Sequence, residues 1–198
     1  MNGNSDDASG VKSLVVGIGG TTRKPSSTDR ALRIALQAAE EAGAQTLLFD
    51  GEFLSRLPHF APENCERTKE QRQLVDTVRK ADGLIVASPG YHGGVSGLVK
   101  NGLDLLDDLS EDERCYLDGR AVGCIATAAG WQACVSTLAA LRSIVHALRG
   151  WPTPFGATLN TTEGNFDAAG VCTNPKVADQ LVAVGRQVVE FAEKHRRK

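Results

Sequence analysis

Short apolar stretches, separated by longer segments of helical periodicity, restrict this chain more than any other feature. LVVGI (Leu14–Ile18), TLLF (Thr46–Phe49), LIVAS (Leu84–Ser88) and AVGCIAT (Ala121–Thr127) run apolar with almost no alternation. A strand with one wet face alternates polar and apolar residues; a strand covered on both faces does not. Pro154–Leu159 is a fifth candidate strand. Between and after these runs the spacing predicts helices over about Thr28–Ala42, Thr68–Ala81, Ser96–Leu109, Cys134–Leu148 and Pro175–His195, the last capped by Thr173 or Asn174. Asp50–Arg67 and Asn160–Thr173 read as loops. Strands and helices that alternate in this way form a parallel sheet with helices on both faces. The expectation is one α/β domain over residues 12–198, doubly wound on a five-stranded sheet, behind a disordered leader of small polar residues at 1–11.

Charge and cysteine content exclude several classes. A net charge of −2 argues against nucleic acid or an anionic membrane surface as partner. KHRRK at Lys194–Lys198 is read as the solvated end of the last helix, where cations suit the dipole. There is no signal peptide and no apolar run of membrane length, so the expected location is cytoplasmic. The five cysteines include no C-x-x-C pair, which supports neither a zinc ribbon nor a thioredoxin-type site. They are expected to be reduced and mostly buried thiols.

In doubly wound sheets ligands sit beyond the carboxyl ends of the strands, where the strand order switches. The loops after the first, third and fourth runs are therefore the ones to read. After the first comes GGTTRKPSST (Gly19–Thr28). A dinucleotide fingerprint would need glycine at position 22, which is Thr22, and Lys24 is followed by Pro25 rather than Ser or Thr, so the P-loop pattern fails too. What remains are the hydroxyls of Thr21, Thr22, Ser26, Ser27 and Thr28 with Arg23, at the start of a helix whose first N–H groups are free. That set suits a terminal phosphate monoester. The plain alternative is a polar loop in which Ser27 or Thr28 caps the helix.

The second loop, SPGYHGGVSG (Ser88–Gly97), offers stiff Pro89, close backbone approach at Gly90, Gly93 and Gly94, and an aromatic side chain at Tyr91. Its backbone can line the edge of a flat ring bearing carbonyls and nitrogens. His92 is either part of that lining or an exposed loop residue. The third loop, TAAGWQ (Thr127–Gln132), has small residues against which a ring can lie; Trp131 is a packing residue or a ring contact. A phosphate at the first loop and a flat ring between the other two describe flavin mononucleotide (FMN).

Three stretches carry a resemblance to a family. VVGIGGTTRKPSSTDRA (Val15–Ala31) is similar to the strand and G-S-x-R-x-x-S loop of the flavodoxin-like NAD(P)H-dependent FMN reductases. ADGLIVASPGYHGGVSGLVKNGLDLL (Ala81–Leu106) resembles that family's PxYxxxxSGxLKxxLDxL stretch, and Ala121–Gly130 is a looser match. The sequence looks nearest to the members that feed reduced flavin to two-component monooxygenases such as the alkanesulfonate systems.

The resemblance implies a flavodoxin-like fold and an oxidoreductase using FMN and NAD(P)H. It implies that Thr21, Arg23, Ser26 and Thr28, with Ser27 beside them, hold the FMN phosphate. Pro89, Gly90, Tyr91, His92 and Gly93 would line the isoalloxazine, with Thr127, Ala128, Ala129 and Gly130 at its other edge. No catalytic side chain and no metal is expected. It also implies a homodimer or homotetramer assembled through the helices after the third and fourth strands, and a flavin-dependent monooxygenase as possible partner. Many members carry Glu and Asn where this chain has Gly90 and His92, and a double glycine where it has Ala128 and Ala129. The same fold serves FMN-bound quinone and azo reductases and flavodoxin-type electron carriers. The carriers are usually strongly acidic and put aromatics against the flavin, unlike this chain.

Overall fold

The computed structural model describes residues 12–195. The expected leader at 1–11 and the last three basic residues lie outside them. In chain order the elements are β1 (Leu14–Gly19), α1 (Ser27–Glu41), β2 (Gln45–Phe49), a single-turn helix α2 (Gly51–Leu54), α3 (Lys69–Lys80), β3 (Gly83–Tyr91), β4 (Gly94–Val95), α4 (Gly97–Asp104), β5 (Ala121–Ala128), α5 (Trp131–Ala147), β6 (Trp151–Pro152), β7 (Ala157–Asn160) and α6 (Pro175–His195).

The main strands pair in the order β2-β1-β3-β5, all parallel, and β6 and β7 both pair with β5. This is the doubly wound flavodoxin-like order. Alternate residues of the central strands feed two cores. Val16, Ile18, Leu84, Val86 and Cys124 pack with residues of α3, α4 and α5; Val15, Ile85, Ala87 and Ile125 pack with α1 and α6. Both faces being buried is why the sequence runs are continuously apolar. Helices α1 and α6 meet closely because Gly185 lies against the backbone of Ala35, where a Cβ would come within 2.2 Å of the carbonyl oxygen.

The fifth strand position differs from expectation. It is occupied by two short pieces, β6 and β7, with Thr153–Gly156 looping out between them. Pro154 has no N–H to give a ladder, so the strand cannot run through it; the carbonyls of Thr153 and Pro154 accept from the Arg142 guanidinium instead. Helix α5 begins three residues before the expected Cys134, with Gly130 as its cap residue at φ 117°. The helix expected over Ser96–Leu109 tightens to a 3-10 turn after Asp104. Asp50 caps α2 within what read as a featureless loop, its carboxylate accepting from Phe53 N–H at 2.9 Å. Asn174 starts α6, its side-chain oxygen accepting from Lys176 N–H.

Candidate functional site

The switch in strand order lies between β1 and β3, and the carboxyl ends of β1, β3 and β5 open into one cleft of about 430 Å³. The β1 exit sits tightly against β3. A Cβ on Gly19 would lie 2.1 Å from the Ala87 carbonyl oxygen, and that oxygen accepts from Gly20 N–H. Thr21, Arg23, Pro25, Ser26, Ser27 and Thr28 form one wall of the cleft. Pro89, Gly90 and Tyr91 from β3, and Thr127, Ala128 and Ala129 from β5, form the rest with Thr161.

The wall at α1 is rich in donors that no protein acceptor takes. Ser26, not Ser27 or Thr28, is the N-cap: its Oγ accepts from Asp29 N–H at 3.1 Å. Accepting that bond leaves the Ser26 O–H free to donate. The N–H groups of Ser27 and Thr28 have no acceptor among the described residues, as the first turn of a helix dictates. The Arg23 guanidinium has no ion-pair or hydrogen-bond partner among them either. Its neighbours are engaged. Lys24 pairs with Glu52 at 3.0 Å, and that hydrogen bond raises the lysine above its ordinary pKa. Arg33 pairs with Asp29 at 2.8 Å and Asp50 at 3.5 Å. Arg30 donates to the Asp167 carbonyl and lies over the Phe166 ring. Thr28 is buried, and its Oγ1 lies 2.6 Å from Thr127 Oγ1, so the helix wall and the β5 wall are hydrogen-bonded to each other.

The opposite end is walled by backbone and small side chains. What read as the loop after β3 is a hairpin. β3 continues to Tyr91, turns at His92 and Gly93, and returns as β4. Both turn residues have positive φ, 53° and 80°, the mark of the two-residue turn that matches strand twist. His92 is thus at an exposed hairpin tip, and neither it nor Gly93 lines the cleft. Ser88 secures the hairpin base by accepting from Ser96 N–H at 3.0 Å. Tyr91 does line the cleft while remaining 57% exposed. Gly130 lies just behind the lining and donates its N–H to Asn160 Oδ1 at 3.0 Å. Trp131 opens α5 half exposed and outside the lining, and Thr22 is also outside it.

Sequence reading missed Pro25, Thr161 and the residues that hold the walls in place. Asn160 accepts from Gly130 N–H, Thr162 N–H and Thr162 Oγ1, and donates to Glu163. An Asn followed by Glu three residues on is a capping signal that was there to be read. All five thiols are free, but Cys65 is exposed and Cys115 and Cys172 are half-buried, so they are less buried than expected. Burial pushes the Cys124 thiol up to about 12 and raises that of Cys134 as well, so neither is a thiolate near neutral pH.

Gly51 sets the position of the helix-side loop from outside the cleft. A Cβ there would lie 2.3 Å from the Thr21 carbonyl oxygen. The Gly51→Ala variant is expected to fold but to displace Thr21 and, where Thr21 holds the FMN phosphate as the resemblance implies, to weaken FMN binding by about tenfold or more, since misplacement of an ångström is costly at a site. Titration by flavin fluorescence quenching checks this, and an unchanged affinity counts against it.

Residues 13–163 match the family model described as NADPH-dependent FMN reductase. The chain belongs to this family. An FMN reductase (NADPH) from Pseudomonas aeruginosa is 32% identical over 98 residues, 47% of this chain and 50% of that protein. An FMN-dependent NADPH-azoreductase from Staphylococcus aureus is 35% identical over 95 residues, 47% of this chain and 46% of that protein. The matches thus span about half the length of these curated relatives. Among solved structures, the flavoenzyme NAD(P)H:(acceptor) oxidoreductase FerB from Paracoccus denitrificans superposes with a TM-score of 0.70 at 20% identity, covering 93% of this chain and 99% of that one, a likeness of fold.

FMN and NADPH are the groups this FMN reductase family implies. The donor set fits the first of them: unspent N–H groups, hydroxyls and an unpaired guanidinium at a helix N-terminus suit a dianionic phosphate. The bare backbone at Gly90 and the methyls of Ala128 and Ala129 leave room for a flat ring. No helix among the described residues is long and apolar enough to cross a membrane.

Proposed function

We propose that this protein is an NAD(P)H-dependent FMN reductase that supplies reduced flavin to a partner monooxygenase. The observation that carries the reading is a single cleft with unspent anion donors at one end and bare strand-end backbone at the other. Ser26, Ser27, Thr28 and Arg23 bind the FMN phosphate. Pro89, Gly90, Ala128 and Ala129 hold the isoalloxazine by backbone and small side chains. Flavin held there would supply the hydride-accepting chemistry, with NAD(P)H as the donor. The chain contributes orientation, charge compensation and partial exclusion of water, and no side chain has to act as acid, base or nucleophile. Assembly as a homodimer or homotetramer belongs to the same reading; Trp131 and Val135, one turn apart and exposed on α5, support it.

A second reading has a specific observation in its favour. Tyr91 lines the cleft yet is largely exposed, so the ring end is open to solvent and could admit a flat aromatic acceptor beside bound flavin. In that case FMN stays on the protein and electrons pass to quinones or azo compounds. Anaerobic mixing with excess FMN and then NADPH separates the two, followed at the flavin absorption band and repeated with NADH. Bleaching of many equivalents is expected. Bleaching of the bound equivalent alone favours the fixed-cofactor reading, and no bleaching with either nucleotide removes both.

A further inference from the structure

Thr28 and Thr127 come from opposite walls of the cleft, one at the start of α1 and one at the end of β5, 99 residues apart in sequence. Both are only 2% exposed, both line the cleft, and their hydroxyl oxygens lie 2.6 Å apart. Two hydroxyls carry two protons, and a bond between them uses one. The other has no acceptor among the described residues. A buried donor is rarely left unspent. Three donors are then unspent at the start of α1: the N–H groups of Ser27 and Thr28 and one hydroxyl proton of the Thr28–Thr127 pair.

We infer that Thr127 is a positioning residue for the phosphate of the flavin, acting through Thr28. Thr127 donates to Thr28 Oγ1, and Thr28 donates its own proton to a phosphate oxygen. Accepting a hydrogen bond makes Thr28 the stronger donor, because linked hydrogen bonds polarise one another in a site of low dielectric. The reverse polarity would send the spare proton from Thr127 towards the ring. The anion favours the first arrangement, since the helix N-terminus draws negative charge to the Thr28 side. A residue at the end of a sheet strand, beside the alanines of the ring wall, thereby serves the phosphate end. This rests on the reading that the cleft holds FMN.

The test is Thr127→Val, which keeps the branched shape and removes the hydroxyl, with Thr127→Ser as the rescue variant. Full-length proteins are titrated with FMN by fluorescence quenching. The phosphorus NMR signal and the visible spectrum of the bound flavin are then recorded. The expected result is about fivefold to tenfold weaker FMN binding in Thr127→Val, the order of one weakened charge-assisted hydrogen bond. The phosphorus resonance shifts, the flavin spectrum is unchanged, and Thr127→Ser recovers the affinity. Thr28→Val loses at least as much, and adding Thr127→Val to it costs nothing further, because the path through Thr28 is already gone. A changed flavin spectrum with an unmoved phosphorus signal overturns the inference and assigns the proton to the ring. Unchanged affinity overturns it too. Failure of the parent protein to quench FMN at all is a different outcome: it removes the flavin reading itself, and the inference with it.

Discussion

Replacing Arg23 by alanine is expected to weaken FMN binding by about one to two orders of magnitude while leaving the affinity for riboflavin, which lacks the phosphate, nearly unchanged. The size follows from the charge-assisted hydrogen bonds a guanidinium makes to a phosphate, each worth about 1.5–3 kcal/mol, and from the factor of ten that accompanies every 1.4 kcal/mol. The selectivity follows from the local charges. Lys24 and Arg33 are drawn to Glu52, Asp29 and Asp50, whereas Arg23 has no partner among the described residues. Its exposed position means that removal leaves no buried group orphaned, so the fold should be undisturbed. Arg23→Lys should recover only part of the loss, because a point charge cannot reproduce the two-pronged geometry. Equal losses for FMN and riboflavin would place Arg23 at the ring instead, and no loss would remove it from the site.

The largest effect on stability is expected far from the cleft, at Arg120. Arg120 is 1% exposed, near the amino ends of β3 and β5, and makes no ion pair with a carboxylate among the described residues. It is held by carbonyl oxygens: Nε donates to Ala81 at 2.9 Å, and the terminal nitrogens donate to Tyr116 and Arg79 at 2.7 Å each. Arg79 and Ala81 lie at the end of α3, whose last carbonyls have no partner within the helix. Burial, and then the nearby charge of Arg114, push the guanidinium down to about 10, so it is still cationic at neutral pH. Arg120→Met fills similar space but leaves the Tyr116 and Arg79 carbonyls unsatisfied, each at a cost of about 1–3 kcal/mol, while the Ala81 carbonyl keeps its second donor, Arg114. Relief from holding a buried charge offsets part of this. The net expectation is a loss of about 3 kcal/mol, or roughly 6–12 °C in Tm for a chain of this size. Thermal unfolding followed by circular dichroism reads it. A change below about 2 °C would mean that water or relaxation satisfies those carbonyls.

Most of the scaffold was legible because it depends on periodicity. Val15, Val16 and Ile18 feed opposite cores from one strand, which forces the continuous apolar run that betrays a covered parallel sheet. Helix α6 was expected over the bounds it has, because Pro175 starts it and its apolar stripe persists through Ala192. The phosphate-type loop was legible for a different reason. A cluster of hydroxyls with one arginine, at the junction of a strand and a helix, has little to do in a core. Glycines misled where they served a strand. SPGYHGGVSG reads as a loop, but Gly93 shares with His92 the positive φ of a hairpin turn, and Gly90 lets β3 lie close to α5, where a Cβ would strike Thr137 Oγ1 at 2.4 Å.

By itself, the sequence determined the class of the fold, the order of its elements, the loops that meet at the strand ends and the family. Each of these follows from residue type and spacing along the chain. Only the tertiary structure decided which side chains face the cleft and which stand behind it. It left His92 and Gly93 at a hairpin tip, set Gly130 on Asn160, pressed Gly51 against Thr21, and joined Thr28 to Thr127. Those relations are contacts between segments distant in the chain. Their distances depend on how strands pair and helices pack, and no local pattern records them.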